Sequence, residues 1–279
     1  MKRINFTGVI IVKGANPNGD PLQGNMPRMT IGGFGEITDV CIKRKLRNRL
    51  AQMGENIFVR EADKNASSLE KRFLSDPEIE PMIKDKKADE KAIMGAACNK
   101  WFDVRMFGQV FAFKNLSIAV RGALQIMPTL SVEPISISSN QITKCVNGTE
   151  SDGKGSDTMG MKHKVDYGIY VMNGQINGFI GEKNGISDED IEKVKQALLT
   201  LFENDESTAR PAGTMFYDTF VWWEQETSDT LNVPLYNANT LNNAVKVYQD
   251  VIDEERCNYK CRVEVEELPN VVPEITKFQ

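Results

Sequence analysis

The stretch Ile4–Val12 (INFTGVIIV) and the segment behind it constrain the fold most. The stretch is β-branched, alternating at first and then continuously apolar, which predicts a strand. Residues 13–28 (KGANPNGDPLQGNMPR) then hold Pro17, Pro21 and Pro27 among Gly14, Gly19 and Gly24. Missing N–H groups and glycine's conformational freedom exclude regular structure there and predict a loop. A helix follows from Ile37 or Thr38, with Thr38 or Asp39 as its cap. Ile42, Leu46, Leu50 and Met53 form one apolar stripe at helical spacing. Strand, irregular loop and helix are the opening of many mixed α/β domains.

Patterning further along predicts a short strand at Ile57–Arg60. Residues 61–91 are polar, charged and helix-prone, broken by Pro77 and Pro81, and read as a helical insertion in one domain spanning 1–279. A helix is expected over Ala92–Phe107, and a strand interrupted at Gly122 over Leu116–Met127. Glycine, serine and aspartate crowd the second half of 133–165, which predicts a projecting mobile loop or ribbon. Tyr167–Met172 reads as a strand, Asn173-Gly174 as a turn, and Ile176–Ile180 as the return strand. Ser187 caps a helix reaching Phe202. Thr214–Glu224 is an aromatic strand, Asn239–Asp253 a helix, Cys261–Glu266 a strand and 269–279 a tail. Without its insertions this order approaches β-α-β-β-α-β. The expected fold is therefore α+β, a ferredoxin-like or RNA-recognition-type palm with helices on one face of an antiparallel sheet. The open face of such a sheet often holds single-stranded RNA, although no aromatic stacking signature of the usual kind is present.

The net charge is −5, the wrong sign overall for a chain that binds nucleic acid. Phosphate contacts are local, however, and the charge here is polarised. Residues 41–49 (CIKRKLRNR) carry only basic charges, whereas residues 250–267 are mostly acidic. On a helix, Lys43 and Arg47 flank the apolar stripe on one side, Lys45 and Arg49 on the other, and Arg44 points outward. Buried stems with wet heads are a common reading of such a border. The lack of any acid within the run favours a polyanion site. Backbone N–H groups in the Ala15–Arg28 loop can cradle phosphate, but no phosphate-loop signature is present. Lys154, Lys162, His163 and Lys164 beside Met159 and Met161 combine charge with soft apolar knobs, a chemistry suited to unstacking a base.

Catalytic signatures are lacking. The single histidine, His163, has no visible partner, and no zinc-protease, serine-hydrolase or Cys-His pattern occurs. Cys257 and Cys261, the one close cysteine pair, fall in a strand-like segment. Residues four apart on a strand sit roughly 13 Å from each other, too far to share a zinc. No metal or other cofactor is implied, and five scattered cysteines do not form a disulfide framework. No run of about 18 apolar residues spans a membrane, and no secretory leader is evident. A cytoplasmic location is expected.

Six segments in order resemble one family. NPNGDPLQGNMPR (16–28), TDVCIKRKLRN (38–48), WFDVRMFG (101–108), VRGALQ (120–125), DTMGMKHKVDYGIYV (157–171) and FENDESTARPAG (202–213) are similar to the RNA-binding backbone subunit of type I-C CRISPR Cascade complexes. The resemblance implies a palm with helical fingers (61–91) and a thumb (133–165). It implies a non-catalytic protein whose copies stack side by side along one guide RNA. A large subunit and an end-capping subunit are the implied partners, and target DNA pairs with the guide. Carried over by position, Asn16, Asn18 and Arg28 meet the guide backbone, and Lys43, Arg44 and Arg47 pair with phosphates. Arg121 and Gln125 lie on the palm, and Met159, Lys162 and His163 belong to the thumb. Asp103 and Arg105 form either a structural ion pair or a subunit contact. The alternative function is an RNA endonuclease on the same palm, processing guide RNA or cleaving target RNA.

Overall fold

The computed structural model describes residues 2–62, 67–84, 89–113, 116–143, 159–228, 233–253 and 258–278. Strand β1 (Arg3–Ala15) leads through the two-residue strands β2 (Gly19–Asp20) and β3 (Met26–Pro27) to β4 (Phe34–Ile37) and α1 (Asp39–Gln52). Helices α2 (Leu69–Leu74), α3 (Ile79–Lys84), α4 (Glu90–Lys100) and α5 (Phe102–Phe107) follow, then the hairpin of β5 (Gly108–Phe113) and β6 (Leu116–Arg121). Next come β7 (Leu124–Ile126), β8 (Thr129–Pro134), β9 (Ile137–Thr143) and the long β10 (Met159–Ile176). After α6 (Gly178–Asn184) and α7 (Asp188–Leu199) come β11 (Met215–Gln225) and α8 (Ala238–Asn243). The hairpin of β12 (Val245–Asp253) and β13 (Asn258–Val265) and the strand β14 (Glu274–Lys277) follow.

The fold is mixed α+β around a large antiparallel sheet of order β14-β11-β1-β10-β8-β4, with β7 and β9 also paired to β10. β1 is central, and Ile4 through Val12 are all buried. Alternation explains how. Ile4, Phe6, Ile10 and Val12 face α1 and α7, packing with Ile42, Leu46, Leu50, Val194 and Leu198. Val9 and Ile11 face the other way with Ile169, beneath Val247, Cys261 and Val263 of the β12–β13 hairpin. Beside them, Val221 and Trp223 lie under Leu241 and Ala244. The face without the large helices is therefore covered over its centre, not open as expected. That is why the β1 run is apolar on both of its faces, as in doubly buried strands.

The expected helix caps are present. Thr38 Oγ1 accepts from the Cys41 N–H at the start of α1. Ser187 and Asp190 form a reciprocal capping box on α7. The 61–91 segment supplies α2, α3 and the start of α4. A second apolar cluster runs beyond it, joining Phe58, Phe73, Ile93, Trp101, Phe111 and Ile118. Within 133–165, β9 pairs with the outer half of β10 as a two-stranded ribbon, while residues 144–158, with Lys154, lie outside the described residues. No helix among the described residues is long and apolar enough to cross a membrane.

Three local expectations are corrected. Residues 57–60 are not a strand, because side chains take their backbone groups. Asp103 accepts from the Phe58 and Val59 N–H groups at 2.7 and 3.1 Å. Arg72 donates to the carbonyls of Phe58, Arg60 and Glu61. Asn173-Gly174 is not a turn and Ile176–Ile180 is not its return strand, since β10 runs straight through to Ile176 and α6 begins at Gly178. A Cβ at Gly174 would lie 2.2 Å from the Phe6 ring, so this glycine serves sheet packing. The helix expected over 239–253 ends at Asn243, and the alternating Val245, Val247 and Val251 form β12 instead. Burial of Val245 and Val247 against the large sheet prevailed there over helix propensity.

Candidate nucleic-acid interface

The proline-rich loop is fastened to the N-terminus of α1. Asn18 Oδ1 accepts from both the backbone N–H and the hydroxyl of Thr38, at 3.0 and 2.9 Å. Asn16 is buried, donating through Nδ2 to the Asn25 carbonyl at 2.7 Å. Its own N–H donates to the Ala209 carbonyl, which joins this loop to the 202–213 segment. Arg28 pairs with Asp20 at 3.4 Å and stays partly exposed. Asn16 and Asn18 thus spend side-chain capacity holding the loop in shape.

The basic helix is more internally paired than its sequence suggests. Lys43 pairs with Asp39 one turn earlier at 2.9 Å. Lys45 is buried and pairs with Asp205, which also takes Arg210 at 3.2 Å. Burial pulls the Lys45 pKa down, while the Asp205 charge works against that fall. Arg49 donates to Thr200 Oγ1. Arg47 donates from Nε to Asp103 at 2.8 Å and lies over the Phe107 ring, with only 13% of its side chain exposed. Two of these placements correct the sequence reading. Arg47 is not a freely solvated head, and Lys45 does not border the stripe with a wet end. Arg44 is exposed and donates to the Val59 carbonyl at 2.9 Å.

Beside Arg44 runs an open groove of about 760 Å³, with Arg44, Asn48 and Gln52 on one wall and Arg60 and Glu61 on the other. Desolvation, and then the neighbouring Arg47 charge, lower the Arg44 pKa. Asn48 and Gln52 did not stand out in the sequence. Successive steps of four, from Arg44 to Asn48 to Gln52, are the signal that could have marked them as one ridge.

Asp103 and Arg105 do not pair with each other, because residues two apart on a helix do not face one another. Asp103 binds Arg47, and Arg105 binds Asp190 of α7.

Arg121 and Gln125 make no hydrogen bond or ion pair with α1 among the described residues. Both are exposed, and Gln125 accepts from Gln175, which in turn accepts from Arg3. Gly122 is required by packing, because a Cβ there would lie 2.2 Å from the Phe107 carbonyl group.

On the ribbon, strand alternation separates the three expected thumb residues. Met159, Met161 and His163 share one face, while Lys162 and Lys164 occupy the other. Met159 and Met161 are 62% and 54% exposed. The His163 ring nitrogen Nδ1 lies 2.7 Å from Ser139 Oγ on the paired strand. Asp166 falls on the opposite face and bonds Ser138, so no Ser-His-Asp relay forms here. Among the described residues no group of three or more His, Cys, Asp or Glu side chains is arranged to hold a metal ion.

Known proteins share this sequence and fold. A profile of the family described as CRISPR-associated protein Cas7 matches residues 2–266. A curated relative of that description from Haloferax volcanii strain DS2 is 24% identical over 220 residues, covering 71% of this chain. The chain spans 63% of that relative's length. Among solved structures, a chain of a complex described as "CRISPR RNA-guided surveillance complex, pre-nicking" superposes with a TM-score of 0.54. It is 14% identical and covers 85% of this chain and 83% of its own. At that identity the likeness concerns the fold. The family match extends over nearly the whole sheet and its helices, and on it the chain belongs to the CRISPR-associated Cas7 family.

Proposed function

We propose that this protein is a non-catalytic, guide-RNA-binding backbone subunit of a type I-C Cascade complex in the cytoplasm. The family match over residues 2–266 carries this reading. Copies of the chain stack side by side along one guide and present it for pairing with target DNA. A large subunit and an end-capping subunit complete the assembly. Sequence is read by base pairing, so the protein needs only backbone contacts, and repetition supplies avidity to weak single sites. The core is a ferredoxin-like, RNA-recognition-type palm. The order β11-β1-β10-β7, with α1 and α7 on one face, supports that reading. Residues 61–91 serve as fingers and 133–165 as the thumb. Asn16, Asn18, Arg28, Lys43, Arg44, Arg47, Arg121, Gln125, Met159, Lys162 and His163 are the proposed RNA contacts.

The test is co-purification with guide RNA, followed by binding of labelled single-stranded RNA with and without divalent metal. Lys43→Ala with Arg44→Ala leaves the Arg47–Asp103 pair intact and is expected to weaken binding without unfolding the chain. A stable double variant that retains full-length guide at wild-type affinity contradicts the phosphate role of this helix. Specific cleavage of the RNA contradicts the non-catalytic reading in favour of an endonuclease.

A further inference from the structure

The Asp103 carboxylate sits at the junction between α1 and the second apolar cluster and is 1% exposed. It accepts three hydrogen bonds, from Arg47 Nε, Phe58 N–H and Val59 N–H. The last two fix the 58–59 backbone, and the Val59 carbonyl in turn accepts from Arg44 Nη1. One buried carboxylate therefore holds Arg47 directly and Arg44 through a single peptide.

The manner of holding matters. A guanidinium carries five N–H donors in a planar fork. Arg47 spends Nε on Asp103 and rests its flat face against Phe107. Its Nη1 and Nη2 have no hydrogen-bond partner among the described residues. Arg44 spends one bond from Nη1. Residues three apart on a helix are neighbours on its surface. The two guanidinium charges thus lie close enough to act on each other, each tethered at one point, with Arg44 on the wall of the open groove and Arg47 largely buried. Like charges held together by the fold repel, and an anion between them relieves that repulsion.

We propose that Asp103 is a positioning residue for a two-arginine seat, formed by Arg44 and Arg47, that takes a backbone phosphate of single-stranded RNA. The inference rests on the RNA-binding reading above and adds to it why position 47 has to be arginine. A lysine there would give its single nitrogen to Asp103, whereas the arginine fork keeps two further nitrogens beside the one it gives to the internal acid, and these can serve a phosphate.

The decisive variant is Arg47→Lys, measured in the full chain against labelled single-stranded RNA over a salt series. It preserves the charge and an ion-pair partner for Asp103, so its thermal midpoint is expected to stay close to wild type. Its RNA affinity is expected to fall about tenfold, with a shallower salt dependence equivalent to about one phosphate fewer neutralised. In an Asp103→Asn background, Arg44→Ala is expected to cost less affinity than it does in the wild type, because Arg44 is no longer held. If Asp103→Asn does not fold, Arg47→Lys alone decides. Wild-type affinity and salt slope in a folded Arg47→Lys protein would reduce Arg47 to a structural ion pair and overturn the proposal. Failure of the wild-type chain to bind any RNA would instead remove the functional reading itself, and the seat with it.

Discussion

Arg105 of α5 grips Asp190 of α7 with two donors, Nε at 2.9 Å and Nη2 at 2.7 Å. Asp190 also closes the capping box by accepting the Ser187 N–H, so one nearly buried carboxylate joins two helices and starts one of them. Burial pushes the Asp190 pKa up, but the Arg105 and Ser187 hydrogen bonds and the Arg105 charge outweigh it and leave the group below its ordinary value. A carboxylate with a depressed folded pKa contributes stability above its unfolded pKa of about 3.9 and loses it as pH falls through the folded value. Asp190→Ala is expected to cost about 3–5 kcal/mol at neutral pH, because it strands a largely buried guanidinium. Urea denaturation at pH 7 and below pH 4 checks this. The gap between wild type and variant should narrow on the acid side, and a gap independent of pH would contradict the account.

Gly108 and Gly122 lie backbone against backbone where the β5–β6 hairpin leaves α5. Gly108 has φ +77°, and a Cβ at Gly122 would sit 2.2 Å from both C and O of Phe107. Backbone atoms cannot swing aside as a side-chain tip can. Gly122→Ala is expected to cost about 3 kcal/mol, the upper end of overpacking penalties, whereas Gly95→Ala meets nothing within 4 Å and should be neutral or slightly stabilising. Thermal melts of the two variants give the comparison.

Phe73, Phe111 and Trp101 form the centre of the second cluster, with Phe73 and Phe111 stacked at 4.2 Å between ring centroids. The main core around Phe6 and Leu46 is a separate set of side chains. Phe73→Ala is expected to lose about 3–5 kcal/mol, and to lose it locally. Amide exchange should accelerate over residues 69–113 while β1 and β10 keep their protection. Uniform loss of protection across both clusters would show instead that they unfold as one unit.

Elements with a clean period were legible, and long-range pairings were not. The α1 stripe and the aromatic β11 carry a regular run of residue types, and the Thr38 and Ser187 caps bond within three residues, all of which local patterning records. The misread segments share another cause. Residues 57–60 depend on Asp103, which is 44 and 45 positions away from Val59 and Phe58. Gly174 is explained only by Phe6 on the neighbouring strand. The same holds for the candidate interface. Five basic residues in one run marked α1 as unusual, yet the acids that hold Arg47 and Lys45 stand far off in sequence, Asp103 by 56 positions and Asp205 by 160. Helical projection sets Arg44 outward and Lys45 at the border of the stripe, but no local pattern could show that Lys45 is buried. The β4 strand, just before the α1 cap, also carried no strand signal of its own.

The β9–β10 ribbon permits a separation that neighbouring residues rarely allow. Lys162 and Lys164 are on one face, while Met159 and Met161 are on the other with His163. Replacing both lysines by alanine removes charge without touching the apolar face. If the ribbon closes over single-stranded RNA, that variant should weaken binding and flatten its salt dependence by about 0.7 for each phosphate no longer neutralised. Met159→Ser with Met161→Ser should leave the salt slope unchanged, because thioethers carry no charge. Its effect should appear in base stacking, read by the fluorescence of a 2-aminopurine placed along the RNA, since apolar wedges act by separating bases. Both methionines are exposed and the lysines lie on the surface strand, so neither variant should move the thermal midpoint. A methionine variant that changes the salt slope, or a lysine variant that changes stacking alone, would contradict this division between the two faces.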